Sequence, residues 1–116
     1  RYSLGLLLAE LEEYEKAADM LGEAADGMPD YTRPRYNQAL ALLKLQRYEE
    51  GERALLEALE VDPANREYFS TLANLYLNFR MIGKAEQLAR TILKSDPDHP
   101  DATRLLEMIN QGKKIP

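Results

Sequence analysis

The chain has 116 residues, of which 45% are hydrophobic and 30% charged, an ordinary composition for one globular domain. It contains no cysteine, which excludes disulfides, thiolate metal sites and a cysteine nucleophile, and which leaves cytosol and periplasm both open as its compartment. Its net charge of −5 and isoelectric point near 4.9 oppose contact with phosphate backbones and anionic lipids, so we expect neither nucleic acid nor membrane as a partner.

Apolar residues recur along the chain at spacings of three and four, as in Leu4, Leu7, Leu8 and Leu11. This spacing indicates amphipathic helices and not strands. Because short segments join the helices, consecutive helices should pack side by side and antiparallel. In chain order, the predicted helices span 1–12, 15–27, 34–46, 49–61, 66–79, 83–95 and 100–111, and the last one has Asp98 as its predicted N-cap and Gly112 as its predicted C-cap.

Three prolines, Pro29, Pro63 and Pro97, stand 34 residues apart, and other positions repeat at the same interval. Self-similarity at a fixed period indicates one helix-pair unit, repeated so that neighbouring units bury each other's apolar faces. The repeating columns are Leu4, Gln38 and Leu72; Gly5, Ala39 and Ala73; Leu8, Leu42 and Tyr76; Tyr14, Tyr48 and Ile82; Ala17, Gly51 and Ala85; Leu21, Leu55 and Ala89; and Ala24, Ala58 and Ile92.

These columns resemble the tetratricopeptide repeat (TPR), a 34-residue frame of large, small and aromatic positions that closes on proline. The departures are Arg35, Gln38 and Gly51, and the glycine should cost its helix about 0.5–1 kcal/mol. The resemblance implies an all-α fold, an α-α superhelix (TPR solenoid) of three helix pairs plus a C-terminal capping helix. We expect a single array, and a fragment of a longer chain, with repeat one at 1–31, which lacks its first residues, repeat two at 32–65, repeat three at 66–99 and the capping helix at 100–112.

In the family that this chain resembles, the first helix of each pair lines a concave groove that accepts an extended or helical peptide. The resemblance therefore implies a non-catalytic module for protein–protein interaction, whose partner is a protein or peptide segment of unknown identity. Amide side chains suit a peptide backbone because they both donate and accept hydrogen bonds, and Tyr and Arg are enriched at binding hot spots. The predicted peptide-binding residues are Arg33, Tyr36, Asn37, Leu40, Lys44, Glu67, Thr71, Asn74 and Asn78.

One known use of the fold is not expected here. Relatives that clamp the C-terminal carboxylate of chaperone tails place Lys and Asn in the first repeat, Asn in the second, and Lys and Arg in the third. Only one of these residues is kept, and an acid replaces a base. The corresponding positions of this chain are Tyr2, Leu6, Asn37, Glu67 and Thr71.

Nothing in the sequence points to catalysis. The single histidine, His99, lies in a predicted loop with no second group placed near it by sequence, so we interpret it as a surface turn residue. The many glutamates suit a solvated helix face with weak local ion pairs. We therefore expect no enzyme activity, no metal site and no cofactor.

Two other functions are kept open. The module could be a structural or targeting appendage of a larger chain, bacterial, periplasmic or enzyme-bearing, whose remainder occupies the groove. It could also self-associate through its N-terminal edge, because Leu4 and Leu7 point to where an upstream repeat would pack. Self-association would vanish when both leucines become polar.

Overall fold

The structure is a computed structural model, and it describes residues 1–114. Over this range the chain forms seven α-helices and no strand, which confirms the predicted all-α fold. Each predicted helix overlaps one observed helix. The observed helices are α1 (Tyr2–Glu10), α2 (Tyr14–Gly27), α3 (Arg33–Lys44), α4 (Tyr48–Val61), α5 (Arg66–Asn78), α6 (Ile82–Ser95) and α7 (Pro100–Lys114).

The chain divides into two compact units. Unit 1 runs from Arg1 to Asp62 and holds α1 to α4, and unit 2 begins at Pro63 and holds α5 to α7. In unit 1 each helix packs on the next, and α1 also contacts α3. In unit 2, α6 packs on α5 and on α7, and α5 also contacts α7. The helices of each unit therefore bury one another, as expected of paired amphipathic helices.

Glycine permits the closest helix approaches of unit 1. A Cβ atom added to Gly5 would lie 2.8 Å from the side chain of Leu21, which is fully buried. A Cβ atom on Gly51 would lie 2.7 Å from the side chain of Leu43. Because both distances are shorter than van der Waals contact, the missing side chains let α1 approach α2 and let α3 approach α4.

The first helix of each pair ends in the same way. Glu12, Gln46 and Arg80, each 34 residues from the next, have φ values of 61°, 62° and 57°. The residue after each of them donates its N–H to a carbonyl five positions back, as in the bond of 2.9 Å from Arg47 to Leu42, which is a Schellman ending. Helices α1 and α3 therefore stop before residues 12 and 46, and the ends predicted from the sequence are too late.

His99 is not the surface turn residue predicted from the sequence. Its side chain is 1% exposed, and its ring lies 4.9 Å from the ring of Phe69. Nδ1 of His99 accepts the Ala102 N–H at 3.1 Å, so His99, and not Asp98, caps the first turn of α7. Gly112 lies inside α7 and does not end it, which corrects the second predicted cap.

Candidate peptide-binding surface

Four of the predicted binding residues form a stripe along α3. Arg33, Asn37, Leu40 and Lys44 are spaced by four, three and four residues, so they lie on one face of the helix. Lys44 is exposed, and the other three are partly exposed. We call this surface the α3 stripe. It offers a guanidinium, an amide, an apolar side chain and an ammonium group in succession over three turns.

Tyr36 does not belong to this exposed surface. Its side chain is 4% exposed, and the Arg33 guanidinium carbon lies 5.3 Å from the centre of its ring. At this distance the ring attracts the cation. The prediction that Tyr36 presents its ring to a ligand is therefore wrong for this structure, and the ring instead supports Arg33 from beneath.

A polar and aromatic cluster extends the α3 stripe towards α1. Asn37 Nδ2 donates to the hydroxyl oxygen of Tyr2 at 3.0 Å, and the Tyr2 ring meets the ring of Tyr31 edge to face, with centroids 5.9 Å apart. Burial raises the pKa of Tyr2, and Tyr31 raises it further, whereas the hydrogen bond from Asn37 opposes the rise. The Tyr2 hydroxyl therefore stays protonated at neutral pH and fixes the orientation of the Asn37 amide.

Tyr31 also lies in this cluster, although the sequence patterns did not predict it. It lies between α2 and α3, its side chain is 49% exposed, and it occupies the 34-residue column that holds Asn65 and His99 in the later repeats. Those two residues accept hydrogen bonds from the first turns of α5 and α7, whereas α3 has no side-chain cap. The sequence did contain a signal for Tyr31. The residues in this column cap helices in the later repeats, and a tyrosine there has no capping role.

The other four predicted residues form the equivalent stripe in unit 2. Glu67, Thr71, Asn74 and Asn78 occupy the columns of Arg33, Asn37, Leu40 and Lys44, and we call them the α5 stripe. The Thr71 hydroxyl donates to the Glu67 carbonyl at 3.0 Å, which holds its side chain against the helix. Asn74 and Asn78 are exposed one turn apart. Their amides can hydrogen-bond to a ligand backbone from a rigid helix.

Among residues 1–114 no group of three His, Asp or Glu side chains is arranged to hold a metal ion. The pKa values of the Glu50 and Asp101 carboxyl groups lie below their usual range, because Arg47 and Arg66 donate hydrogen bonds to them. In the described part of the chain no helix is long and apolar enough to cross a membrane.

Comparison with known proteins agrees with the repeat pattern. The tetratricopeptide repeat family is matched over residues 8–75, which is more than half of the chain. The chain belongs to the tetratricopeptide repeat family. Among curated proteins, the TPR repeat-containing thioredoxin TTL4 of Arabidopsis thaliana is 31% identical over an alignment of 129 residues. That alignment takes in 93% of this chain and only 18% of the relative, so this TPR chain spans about a fifth of the relative's length.

Solved TPR domains share the fold at low sequence identity. The first TPR domain of Spaghetti (RPAP3), bound to the HSP90 peptide SRMEEVD, superposes with a TM-score of 0.70 at 19% identity, over 97% of this chain and 89% of that one. The second TPR domain of human RPAP3, in complex with the HSP70 peptide SGPTIEEVD, gives 0.69 at 23% identity, over 93% and 90%. These likenesses confirm the all-α superhelical TPR fold class.

Proposed function

We propose that this TPR chain is a non-catalytic interaction module that binds extended or helical protein segments on its first helices, at the α3 stripe of unit 1 and at the α5 stripe of unit 2. The observation that supports this most is the repetition of the stripe. The same four columns of two first helices carry side chains that are exposed or partly exposed and able to form hydrogen bonds or apolar contacts. Similar TPR domains bind peptides, in the two RPAP3 structures, which supports the same kind of partner here.

The side chains suggest how such a segment would be held. Asn74 and Asn78 each offer an N–H donor and a carbonyl acceptor, which is what the backbone of an extended peptide requires. The carbonyl oxygen of Asn37 is available for the same purpose once its Nδ2 donates to Tyr2. Leu40 adds apolar contact next to Asn37 on the α3 stripe. Lys44 would favour an acidic residue of the ligand.

We propose that the preferred segment does not end in the chaperone-type carboxylate. Of the five positions that would hold such a carboxylate, this chain keeps only Asn37, and it places an acid at Glu67. In addition, the Asn37 amide already donates to the Tyr2 hydroxyl. A terminal carboxylate would approach without the lysines and arginine that balance its charge, and it would be repelled by Glu67. Peptides ending in EEVD should therefore bind weakly or not at all.

Peptides selected from a random display library on the immobilised chain test the proposal. The best peptide would be titrated against the chain and against the double variant Asn74→Ala with Asn78→Ala. Each amide contributes about 0.5–1.5 kcal/mol through its hydrogen bonds, so loss of the pair should weaken binding by about 5- to 150-fold. Gln87→Ala is the matched control, because Gln87 is an exposed amide on α6, outside both stripes. A peptide whose affinity is equal for all three proteins would contradict the proposal.

Self-association remains a second candidate, because the leucines of α1 are exposed in the structure. It predicts a mass in light scattering that rises with concentration and returns to that of the monomer in Leu4→Lys with Leu7→Lys. A role as an appendage of a larger chain predicts instead that the captured segment comes from the remainder of the same polypeptide. Pull-down with the isolated chain separates this outcome from recognition of another protein.

A further inference from the structure

One face of α1 is apolar and open to solvent. Leu4 and Leu7 of α1, and Leu11 immediately after its last residue, recur at three and four residues along this face, and their side chains are 47%, 50% and 63% exposed. Burial of a leucine side chain stabilises a protein relative to leaving that side chain in water. An aligned row of three such residues, which we call the leucine face, is therefore costly to leave in water and marks an interaction surface.

The face of α3 that is equivalent to the leucine face is covered by another helix of this molecule. The residues 34 positions later are Gln38, Ala41 and Leu45, and this side of α3 packs on α2. The Gln38 amide fills the space left by Gly22 of α2, since a Cβ atom there would lie 2.6 Å from Gln38 Nε2. Ala41 is only 3% exposed. In α3 this face is therefore covered by a helix with small residues on its contact side. In α1 the equivalent face is exposed to solvent.

The ion pairs of two arginines in equivalent positions differ in the same way. Arg35 pairs with Glu57 of α4 at 3.2 Å and with Asp26, in the last turn of α2, at 2.6 Å. Arg1, 34 residues earlier, pairs with Glu23 of α2 at 3.1 Å, which is the equivalent of the first pair. Within residues 1–114 no helix supplies Arg1 with the equivalent of Asp26. Accordingly, 69% of the Arg1 side chain is exposed, against 21% for Arg35.

We infer that the leucine face is the docking surface for a helix of the α2 kind, from a further repeat that precedes α1 in the same polypeptide. That helix carries small residues on its contact side, as α2 does at Ala18, Gly22 and Ala25, and an acidic residue in its last turn that pairs with Arg1. The inference is independent of ligand binding. A second copy of α1 fits less well, because its row of leucines lacks the small residues, such as Gly22 of α2, that meet the equivalent face of α3 in this molecule.

A tandem chain tests this inference. Residues 1–34 are fused to the N-terminus of the whole chain, so that the junction reads Arg33-Pro34-Arg1-Tyr2 and matches Arg33-Pro34-Arg35-Tyr36 of the natural sequence. The added α2 then stands where the inferred helix would lie. We expect the tandem chain to gain helical circular dichroism in proportion to its length, to remain monomeric, and to unfold at a temperature higher by about 5 °C or more.

The decisive readout is Leu7→Lys in the original copy. In the 116-residue chain this change should move the unfolding midpoint by no more than about 1–2 °C, because half of the leucine is already in water. In the tandem chain it should lower the midpoint several times as much, because it places a charge in a buried seam. Leu56→Lys, at a leucine of α4 that is 43% exposed, is the matched control and should have the same effect in both chains.

Other results would overturn the inference. Equal effects of Leu7→Lys in the two chains would mean that the added helix leaves the leucine face uncovered. A tandem chain without added helical signal would mean the same. If the mass of the 116-residue chain doubled with concentration, and Leu7→Lys abolished the dimer, a second copy would be the occupant. Asp26→Ala in the added copy should lower the tandem midpoint by a smaller amount than Leu7→Lys. A midpoint that does not change in this variant would contradict the proposed ion pair with Arg1.

Discussion

Units 1 and 2 follow one 34-residue frame but stabilise their helix seams with different side chains. In unit 1, Gly5 and Gly51 remove side-chain volume, so that the helix backbones approach closely. In unit 2 the seam between α5 and α7 is filled by Phe69 and His99, and each of these helices begins with a side-chain cap. The same column can therefore hold a solvent-exposed tyrosine in one repeat and a buried cap in another. The repeat frame determines where helices lie, and the individual side chains determine what each seam tolerates.

The stripes differ between the units as well. The α3 stripe carries Arg33 and Lys44 at its ends, whereas the α5 stripe carries Glu67 and Asn78 in the same columns. A ligand that contacts α3 would meet positive charge, and one that contacts α5 would meet an acid and amides. Equivalent positions are thus free to diverge where they face solvent, because packing does not constrain them.

The largest predicted effect concerns the capping column. His99→Ala removes both the hydrogen bond to the Ala102 N–H and the buried ring beside Phe69, so it should lower the free energy of unfolding by about 2–4 kcal/mol. Tyr31→Ala, in the same column of unit 1, should cost less than about 1 kcal/mol, because half of that ring is exposed. Urea denaturation of both variants measures the difference. His99→Asn should recover the cap but not the ring, and equal costs at the two positions would contradict the comparison.

A second test concerns the glycine seams of unit 1. Gly5→Ala should destabilise the chain by about 1–3 kcal/mol, since the new Cβ meets the buried Leu21 side chain. Gly83→Ala in α6 has no heavy atom within 4 Å of the new Cβ, so it should be neutral or stabilise by up to about 0.5 kcal/mol through helix propensity. Thermal unfolding of the two variants gives the sign of each change. Stabilisation by Gly5→Ala would show that this approach of α1 to α2 is not tight.

Substitution in the turn within each helix pair should have the opposite effect and stabilise the chain. Gln46→Gly places glycine where φ is 62°, so it should raise the free energy of unfolding by about 0.5–1 kcal/mol. Arg80→Gly should do the same in unit 2, because its backbone has the same conformation. Lys44→Gly, with helical φ just before the turn, is the control and should destabilise. Urea denaturation measures the change. A loss of stability in Gln46→Gly would mean that the glutamine side chain stabilises the fold by more than its left-handed backbone conformation costs.

The smallest predicted effect is an ion pair of unit 2 that depends on pH. Hydrogen bonding from Arg66 holds the pKa of Asp101 below its usual range. A carboxyl group whose pKa is lower in the folded state stabilises the fold above its unfolded pKa, and this stabilisation is lost as the pH falls through the folded pKa. Arg66→Ala should therefore lower the unfolding midpoint slightly at pH 7, and the difference from the natural chain should shrink below about pH 4. A difference that stays constant from pH 7 to pH 3 would exclude this cause.

Helix existence and order could be predicted from the sequence because they depend on apolar spacing, which repeats. The helix ends near residues 12 and 46 could not, because Glu12 and Gln46 adopt left-handed backbone conformations that neither residue type signals. The departures Arg35 and Gln38 were recognised, but not their roles. Arg35 joins two acidic partners to Gln38, and Gln38 fills the space at Gly22, and such pairings across helices leave no periodic trace.

The candidate site could be predicted in part. The sequence frame put Arg33, Asn37, Leu40 and Lys44 on one face, because helical geometry fixes which residues share a face. It did not distinguish the buried Tyr36 from this exposed row, although the two positions are separated by only a fraction of a turn. Tyr31 was missed because loop residues fall outside helical periodicity. The burial of His99 was missed for the same reason.

Recognition through the first helices is tested most sharply by the footprint of a selected peptide on the chain, measured from backbone amide chemical shifts by NMR during titration. We expect the largest shifts at and beside the α3 and α5 stripes, and little change in α4 and α6. We also expect Asn74→Ala with Asn78→Ala to reduce the affinity while the helical spectrum stays the same. A footprint confined to α2, α4 or α6, or binding that is unchanged by loss of both amides, would contradict recognition through the first helices.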